Sequence, residues 1–192
     1  FQLGTTNITF IANDDCGNTT SCSFNITVVD NNAPIVTCPP DLVICNDDGL
    51  CTWESNSAVN ASVVDGCPSI IISYDITGST TASGSGFVEG EVFNFGVSTV
   101  VYTVSDGTNM TTCTFTVEVT DCEAPMLTCP TDLTLECGSP TEEADIQAWI
   151  DSVVPTDNCD MMVDLVVDIV FEIANCQTTY TRQYQFTATD DS

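Results

Sequence analysis

Residues 113–125 read Cys113-Thr114-Phe115-Thr116-Val117-Glu118-Val119-Thr120-Asp121-Cys122-Glu123-Ala124-Pro125. Residues 22–34 read Cys22-Ser23-Phe24-Asn25-Ile26-Thr27-Val28-Val29-Asp30-Asn31-Asn32-Ala33-Pro34. The Cys, Phe, Asp, Ala and Pro positions agree at a shift of 91. In both copies apolar residues alternate with polar ones: Phe24, Ile26 and Val28 against Ser23, Asn25 and Thr27, and Val117 and Val119 against Thr116, Glu118 and Thr120. Period two in Thr, Val, Ile and Phe is the pattern of a half-buried antiparallel strand. Each strand ends at Asp and is followed by Ala-Pro, so a strand, a joint and a repeat unit are legible together.

The shift is 91 again on the C-terminal side and 92 on the N-terminal side. Thr37-Cys38-Pro39 and Asp41-Leu42 return as Thr128-Cys129-Pro130 and Asp132-Leu133, while Phe1 to Thr6 resembles Phe93 to Ser98. A third copy of one strand, Phe186 to Asp191, resembles Phe10 to Asp15. The expected organisation is the C-terminal part of one repeat at 1–32, a complete repeat at 33–123, and the N-terminal part of a third, variant repeat at 124–192. The chain is therefore read as a piece of something longer. Short strands in repeats of about 90 residues suggest an all-β sandwich. The Ser, Thr and Gly stretch from Thr77 to Gly86 reads as loop. In the third repeat Ser139-Pro140-Thr141-Glu142 is a capping-box sequence leading into Ile146, Trp149, Ile150 and Val153, which predicts a short helix over 141–152 with Trp149 as core anchor. Val163, Leu165, Val167, Ile169, Phe171 and Ile173 then form an unbroken odd-numbered apolar row, a strand.

Charge narrows the function. The 192 residues hold 28 acids, one basic residue (Arg182), no Lys and no His, for a net charge of -27. A His-based triad, a His-ligated metal and a phosphate-loop lysine are impossible. A polyanion would be repelled, which excludes nucleic acid, and an anionic membrane surface falls on the same ground. Membrane insertion is not expected, because no run of 18 apolar residues occurs. Twelve cysteines without any Cys-x-x-Cys spacing read as disulfides and place the chain outside the cell. Acid pairs such as Asp14–Asp15, Asp47–Asp48 and Glu142–Glu143 could in principle serve a glycosidase, but strand neighbours point to opposite faces. No cation lies near a cysteine in sequence to activate a thiol nucleophile. The chain is expected not to be an enzyme.

Several of these pieces together resemble the hyalin repeat, or HYR domain. They are Gly96 with the strand to Tyr102, Thr103-Val104-Ser105-Asp106, Cys113 to Val117, Asp121 to Pro125, and Cys129-Pro130-Thr131-Asp132-Leu133. The first copy adds Asp14-Asp15-Cys16-Gly17-Asn18 and Cys22-Ser23-Phe24. The third copy, with Glu136-Cys137, Trp149, Asp157-Asn158-Cys159 and Phe186 to Asp190, is similar to a related module of giant microbial surface adhesins. The resemblance implies tandem immunoglobulin-like β-sandwiches and a cell-surface, adhesive or matrix role. Residues 107–109 depart from the family turn, and Ser192 stands where Cys16 stands in its copy.

Cysteine positions suggest pairings. Cys38 opens the central repeat and Cys113 opens its last strand, so Cys38–Cys113 is expected, with Cys22 and Cys129 bonded elsewhere. If the first strand runs parallel to the last, as edge strands of such sandwiches often do, Cys45–Cys122 follows. Cys51 and Cys67 flank a 15-residue span and are expected to pair. Cys137–Cys159 follows by analogy, with Cys159–Cys176 as the rival.

The remaining candidates are carboxylates and amides. Hard oxygen ligands suit calcium, and the candidate ligands are Asp30, Asn31 and Asn32 at one joint, Asp121 and Glu123 at the next, and the turn acids Asp14 and Asp106. Asn7, Asn18, Asn25, Asn60 and Asn109 lie in N-x-Ser/Thr sequons, candidate glycan sites in a secreted eukaryotic protein. Arg182, alone among 28 acids, is expected to make a structural ion pair. The expected function is a structural or adhesive segment that forms a stalk, filament or surface coat. Its expected partners are neighbouring repeats and further copies of itself. The alternative is a module that binds a glycan or a surface protein through loops at one end of a sandwich.

Overall fold

The structure is a computed structural model that describes residues 1–67, 69–136, 142–160, 162–175 and 179–190. The chain is predominantly β. It opens with a hairpin of β1, Gly4–Asn13, and β2, Thr19–Val28, paired antiparallel with Ile8 opposite Phe24. The Phe10 and Phe24 rings stack across it at 5.9 Å.

The central stretch begins with β3, Ile35–Thr37, β4, Leu42–Cys45, and β5, Thr52–Glu54. A 3-10 turn, Ser57–Val59, leads to β6, Ser62–Val64, and β7, Ile71–Gly78. Then come β8, Ala82–Ser85, β9, Val92–Asn94, β10, Gly96–Ser105, and β11, Met110–Thr120. Five of these form one sheet in the order β4-β11-β10-β7-β8, and β4 lies parallel to β11. β3 pairs with β6, and β5 with β9, as two short ribbons. Inward residues of sheet and ribbons share a single core: Trp53, Val59, Ile76, Phe93, Val100, Tyr102, Phe115 and Val117. Alternation explains the selection. Ser98, Val100, Tyr102 and Val104 are buried, and Val100 faces Phe115 and Ile76 across the two neighbouring strands. Truncating a buried aromatic such as Phe93 typically costs about 3–5 kcal/mol.

The stretch read as loop from Thr77 to Gly86 contains β8, an edge strand. Its small residues let it lie beneath an aromatic ring: a Cβ at Gly84 would stand 2.5 Å from the Tyr74 hydroxyl. At the end of β7, Gly78 has φ +110, and a Cβ there would meet the Val97 carbonyl oxygen at 2.5 Å.

Among the described residues of the C-terminal stretch, helix α1, Glu142–Ile150, is followed by the hairpin of β12, Asp164–Asn175, and β13, Thr179–Thr189. Ser139, Pro140 and Thr141 of the expected capping box lie outside the described residues. Trp149 sits edge-on to Tyr184 and Phe186 of β13, at 5.7 and 5.8 Å, and its indole N–H donates to the Thr131 carbonyl. Val153 is buried just beyond the helix. Between Ile169 and Phe171 the register of β12 shifts by a bulge. Val163, Leu165 and Val167 are half-buried, while Ile169 is exposed, so the odd-numbered row does not keep one face throughout.

Candidate functional site

Among the described residues, two groups of three aspartates come together. In one, carboxylate oxygens of Asp30, Asp65 and Asp106 all lie within 4.8 Å of one another; in the other, those of Asp121, Asp157 and Asp190 do the same. The groups are built alike. Asp30 follows β2 and Asp121 follows β11; Asp106 follows β10 and Asp190 follows β13. Asp65 follows β6, where Ile35 pairs with Val64, and Asp157 follows Thr156, which bridges to Met126. The three positions recur at shifts of 91, 92 and 84. Each group thus combines one acid before an Ala-Pro joint with two acids after it.

Local turns orient these acids. The Asp106 carboxylate accepts from the N–H groups of Thr108 and Asn109, and from the Asn109 amide at 2.9 Å. The same Asn109 amide donates to the Asn32 carbonyl at 3.1 Å, tying the turn to the joint. Asp14 holds a sister turn through Cys16 and Asn18. Hydrogen bonds from Asn109, backbone first, hold the Asp106 carboxyl below the ordinary carboxylate range, and those from Asn18 do the same for Asp14. The N–H groups of Asp160 and Cys159 likewise hold Asp157 low. These hydrogen bonds favour the ionised forms of Asp106 and Asp157.

The second joint is held covalently and by hydrogen bonds. Cys51 is bonded to Cys159, with Cα atoms 4.9 Å apart. Both oxygens of Glu123 accept from the Gly49 N–H, at 2.8 and 2.9 Å. Buried Asn46 accepts from the Cys122 N–H and donates to the Leu50 carbonyl. Asn158 donates to that same carbonyl.

Two further disulfides lie within the central stretch. Cys38 is bonded to Cys113 and Cys45 to Cys122; the latter follows from β4 lying parallel to β11, with Cys45 opposite Thr120. Two expected pairings are corrected. Cys51 does not pair with Cys67, because the span between them runs from one end of the central stretch to the other. Cys51 is joined to Cys159, whereas Cys67 lies beside Asp30, whose carboxylate pushes the thiol pKa up to about 11. Cys137–Cys159 is excluded because Cys159 is already bonded to Cys51, which also excludes Cys159–Cys176. Cys137 and Cys176 themselves lie outside the described residues.

Of the expected calcium ligands, Asp30, Asp106 and Asp121 lie in the acid groups, while the acids Asp14 and Glu123 lie outside them. The Asn32 carbonyl accepts from Asn109, Asp14 closes its own turn, and Glu123 grips Gly49. Asp65, Asp157 and Asp190 are the members that sequence reasoning misses. A signal exists: Asp65-Gly66-Cys67 and Asp157-Asn158-Cys159 recur 92 residues apart.

Among the sequon residues, Asn7 donates to Asn25 across the first hairpin, Asn18 to Asp14, and Asn60 to Glu89. The Asn109 amide uses both hydrogens, on Asp106 and Asn32, so a glycan there would remove one of these bonds. Arg182 reaches Glu143 of α1 at 3.7 Å. No described helix is long and apolar enough to cross a membrane.

A family model described as the HYR domain matches residues 1–28. Curated relatives include two proteins called Hyalin. One, from Strongylocentrotus purpuratus, is 30% identical over 156 residues, covering 73% of this chain and 12% of the relative. The other, from Lytechinus variegatus, is 30% identical over 142 residues, covering 68% of this chain and 24% of the relative. The chain therefore spans only a minor part of the length of the curated relatives it matches.

Proposed function

Because this chain belongs to the hyalin repeat (HYR) family, we propose that it serves as a structural and adhesive strut within a long extracellular protein. In this reading 33–123 is a complete immunoglobulin-like sandwich. It stands between the end of one repeat, 1–32, and the start of a third, variant repeat, 124–192, which contains α1. Tandem units of this kind build a stalk, filament or surface coat, and their contacts are with neighbouring repeats and other copies of the chain. The location proposed is the cell surface, where disulfides persist.

The observation that carries the reading is the Cys51–Cys159 bond. It joins the central stretch to the segment beyond Pro125, so a pull along the chain passes through a covalent link as well as through the backbone. Glu123 on Gly49 and Asn158 on Leu50 fix the direction of that link. Pro34 and Pro125 restrict the backbone at the joints themselves. The high negative charge keeps neighbouring fibres apart.

The test is small-angle scattering of the 192-residue chain beside its Cys51→Ser variant. A strut gives the wild type one fixed maximum dimension and the variant a broader distribution of dimensions. Equal, broad distributions for both would overturn the reading.

A further inference from the structure

We propose that Asp121, Asp157 and Asp190 form a divalent-cation site across the second joint, with Asp30, Asp65 and Asp106 as its counterpart across the first. The oxygen-only donor set selects a hard cation, calcium before the softer transition metals.

Proximity of acids is not the main support. Asp121 is only 9% exposed, and its Oδ2 is buried without a hydrogen-bond donor. Its Oδ1 already accepts from the Glu123 N–H. Asp157 repeats the arrangement: Oδ1 accepts from Cys159 and Asp160, while Oδ2 is buried without a donor. Two carboxylates thus each bring one satisfied oxygen and one unsatisfied oxygen to the same place, with Asp190 beside them. At the first joint the Oδ2 atoms of Asp30 and Asp65 are buried without a donor in the same way. A buried oxygen of this kind needs a donor or a cation. Lys and His are absent from the chain, and Arg182 reaches Glu143 at 3.7 Å.

Protonation is the competing solution, in which one carboxyl donates to another. Two backbone N–H groups favour ionised Asp157, which leaves Asp121 as the carboxyl that would donate to it; saturable calcium binding separates the two solutions. The three carboxylates supply part of the oxygen shell, and backbone carbonyls or water complete the roughly six to eight oxygens that calcium takes. The recurrence of an acid triplet at the first joint, with Asp30 and Asp121 after the strand that precedes the joint and Asp106 and Asp190 after a later strand, is an independent argument that the arrangement is built rather than accidental. At each joint the first acid lies before Ala-Pro and the other two after it, so an ion would bind the two sides together. That consequence rests on the strut reading; the site itself rests on geometry alone.

Titration calorimetry of the 192-residue chain with calcium chloride, at constant ionic strength, tests the site directly. Two saturable sites are expected. Asp121→Asn should abolish one and leave the other, and Asp30→Asn should do the converse. Asp190→Asn, at a less buried position, provides the same loss should Asp121→Asn fail to fold, with far-ultraviolet circular dichroism as the check. Absence of saturable binding at millimolar calcium overturns the proposal, as does binding unchanged by Asp121→Asn and Asp190→Asn. Either result leaves the strut reading standing, because scattering of the Cys51→Ser variant is read without calcium.

Discussion

Cys159 is bonded to Cys51, 108 residues earlier in the chain. The bond ties the segment beyond Pro125 to the turn between β4 and β5. In the chain-entropy model a closed loop of this size contributes on the order of 4–5 kcal/mol against full unfolding. Most of its effect on function lies elsewhere. The bond limits how the two segments can rotate about Ala124-Pro125, and Glu123 on Gly49 acts at the same place.

The core hydroxyl of Tyr102 gives the first prediction. The residue is fully buried; its hydroxyl donates to the Val59 carbonyl at 2.9 Å and accepts from the Val88 N–H at 3.0 Å. Tyr102→Phe keeps the ring but leaves two buried backbone groups without partners. The expected loss of unfolding free energy is about 1–3 kcal/mol, read from the denaturant midpoint at unchanged slope. An unchanged midpoint would mean that neither bond contributes.

Alkaline stability gives the second. The Tyr74 hydroxyl donates to Glu91, and that bond first, then burial, pushes its pKa from 10.0 up to about 12. Because the folded value is the higher one, the contribution is complete below pH 10 and disappears as pH rises from about 10 to about 12. Native protein should show a phenol titrating near 12 by ultraviolet absorbance. Glu91→Gln should bring that titration down toward the ordinary value and narrow the alkaline stability range. Titration of every tyrosine near 10 in the folded wild type would contradict the Tyr74–Glu91 bond.

Protease resistance gives the third. Trypsin has one site, after Arg182, which lies within β13 and is paired with Glu143. A protease needs an extended segment free of its sheet, so cleavage should occur only after unfolding. Gel electrophoresis over time should show an intact native chain and a single cut in denaturant. A rapid native cut would show that β13 opens readily.

Much of this architecture is legible in the sequence because its signals are periodic. The shift of 91 between Cys22 to Pro34 and Cys113 to Pro125 marks the repeat. The parallel placement of the first strand of the sheet beside the last sets Cys45 next to Cys122. Distance along the chain is a poorer guide than direction: Cys51 and Cys67 are 16 positions apart, yet β5 and β6 carry the chain between opposite ends of the central stretch. Asp14 and Asp106 hold sister turns, but only Asp106 has Asp30 and Asp65 beside it, which no local pattern reveals. β8 reads as loop in sequence because Ser, Thr and Gly dominate it, whereas its place is set by the Tyr74 ring packed against Gly84.

The most direct measurement is disulfide mapping of the unreduced protein, digested with pepsin at low pH to prevent thiol exchange and analysed by mass spectrometry. The account predicts a linked peptide pair containing Cys51 and Cys159, together with Cys38–Cys113 and Cys45–Cys122. Recovery of Cys51 linked to Cys67, with Cys159 bonded elsewhere, would contradict it, because the covalent tie across the second joint would then not exist.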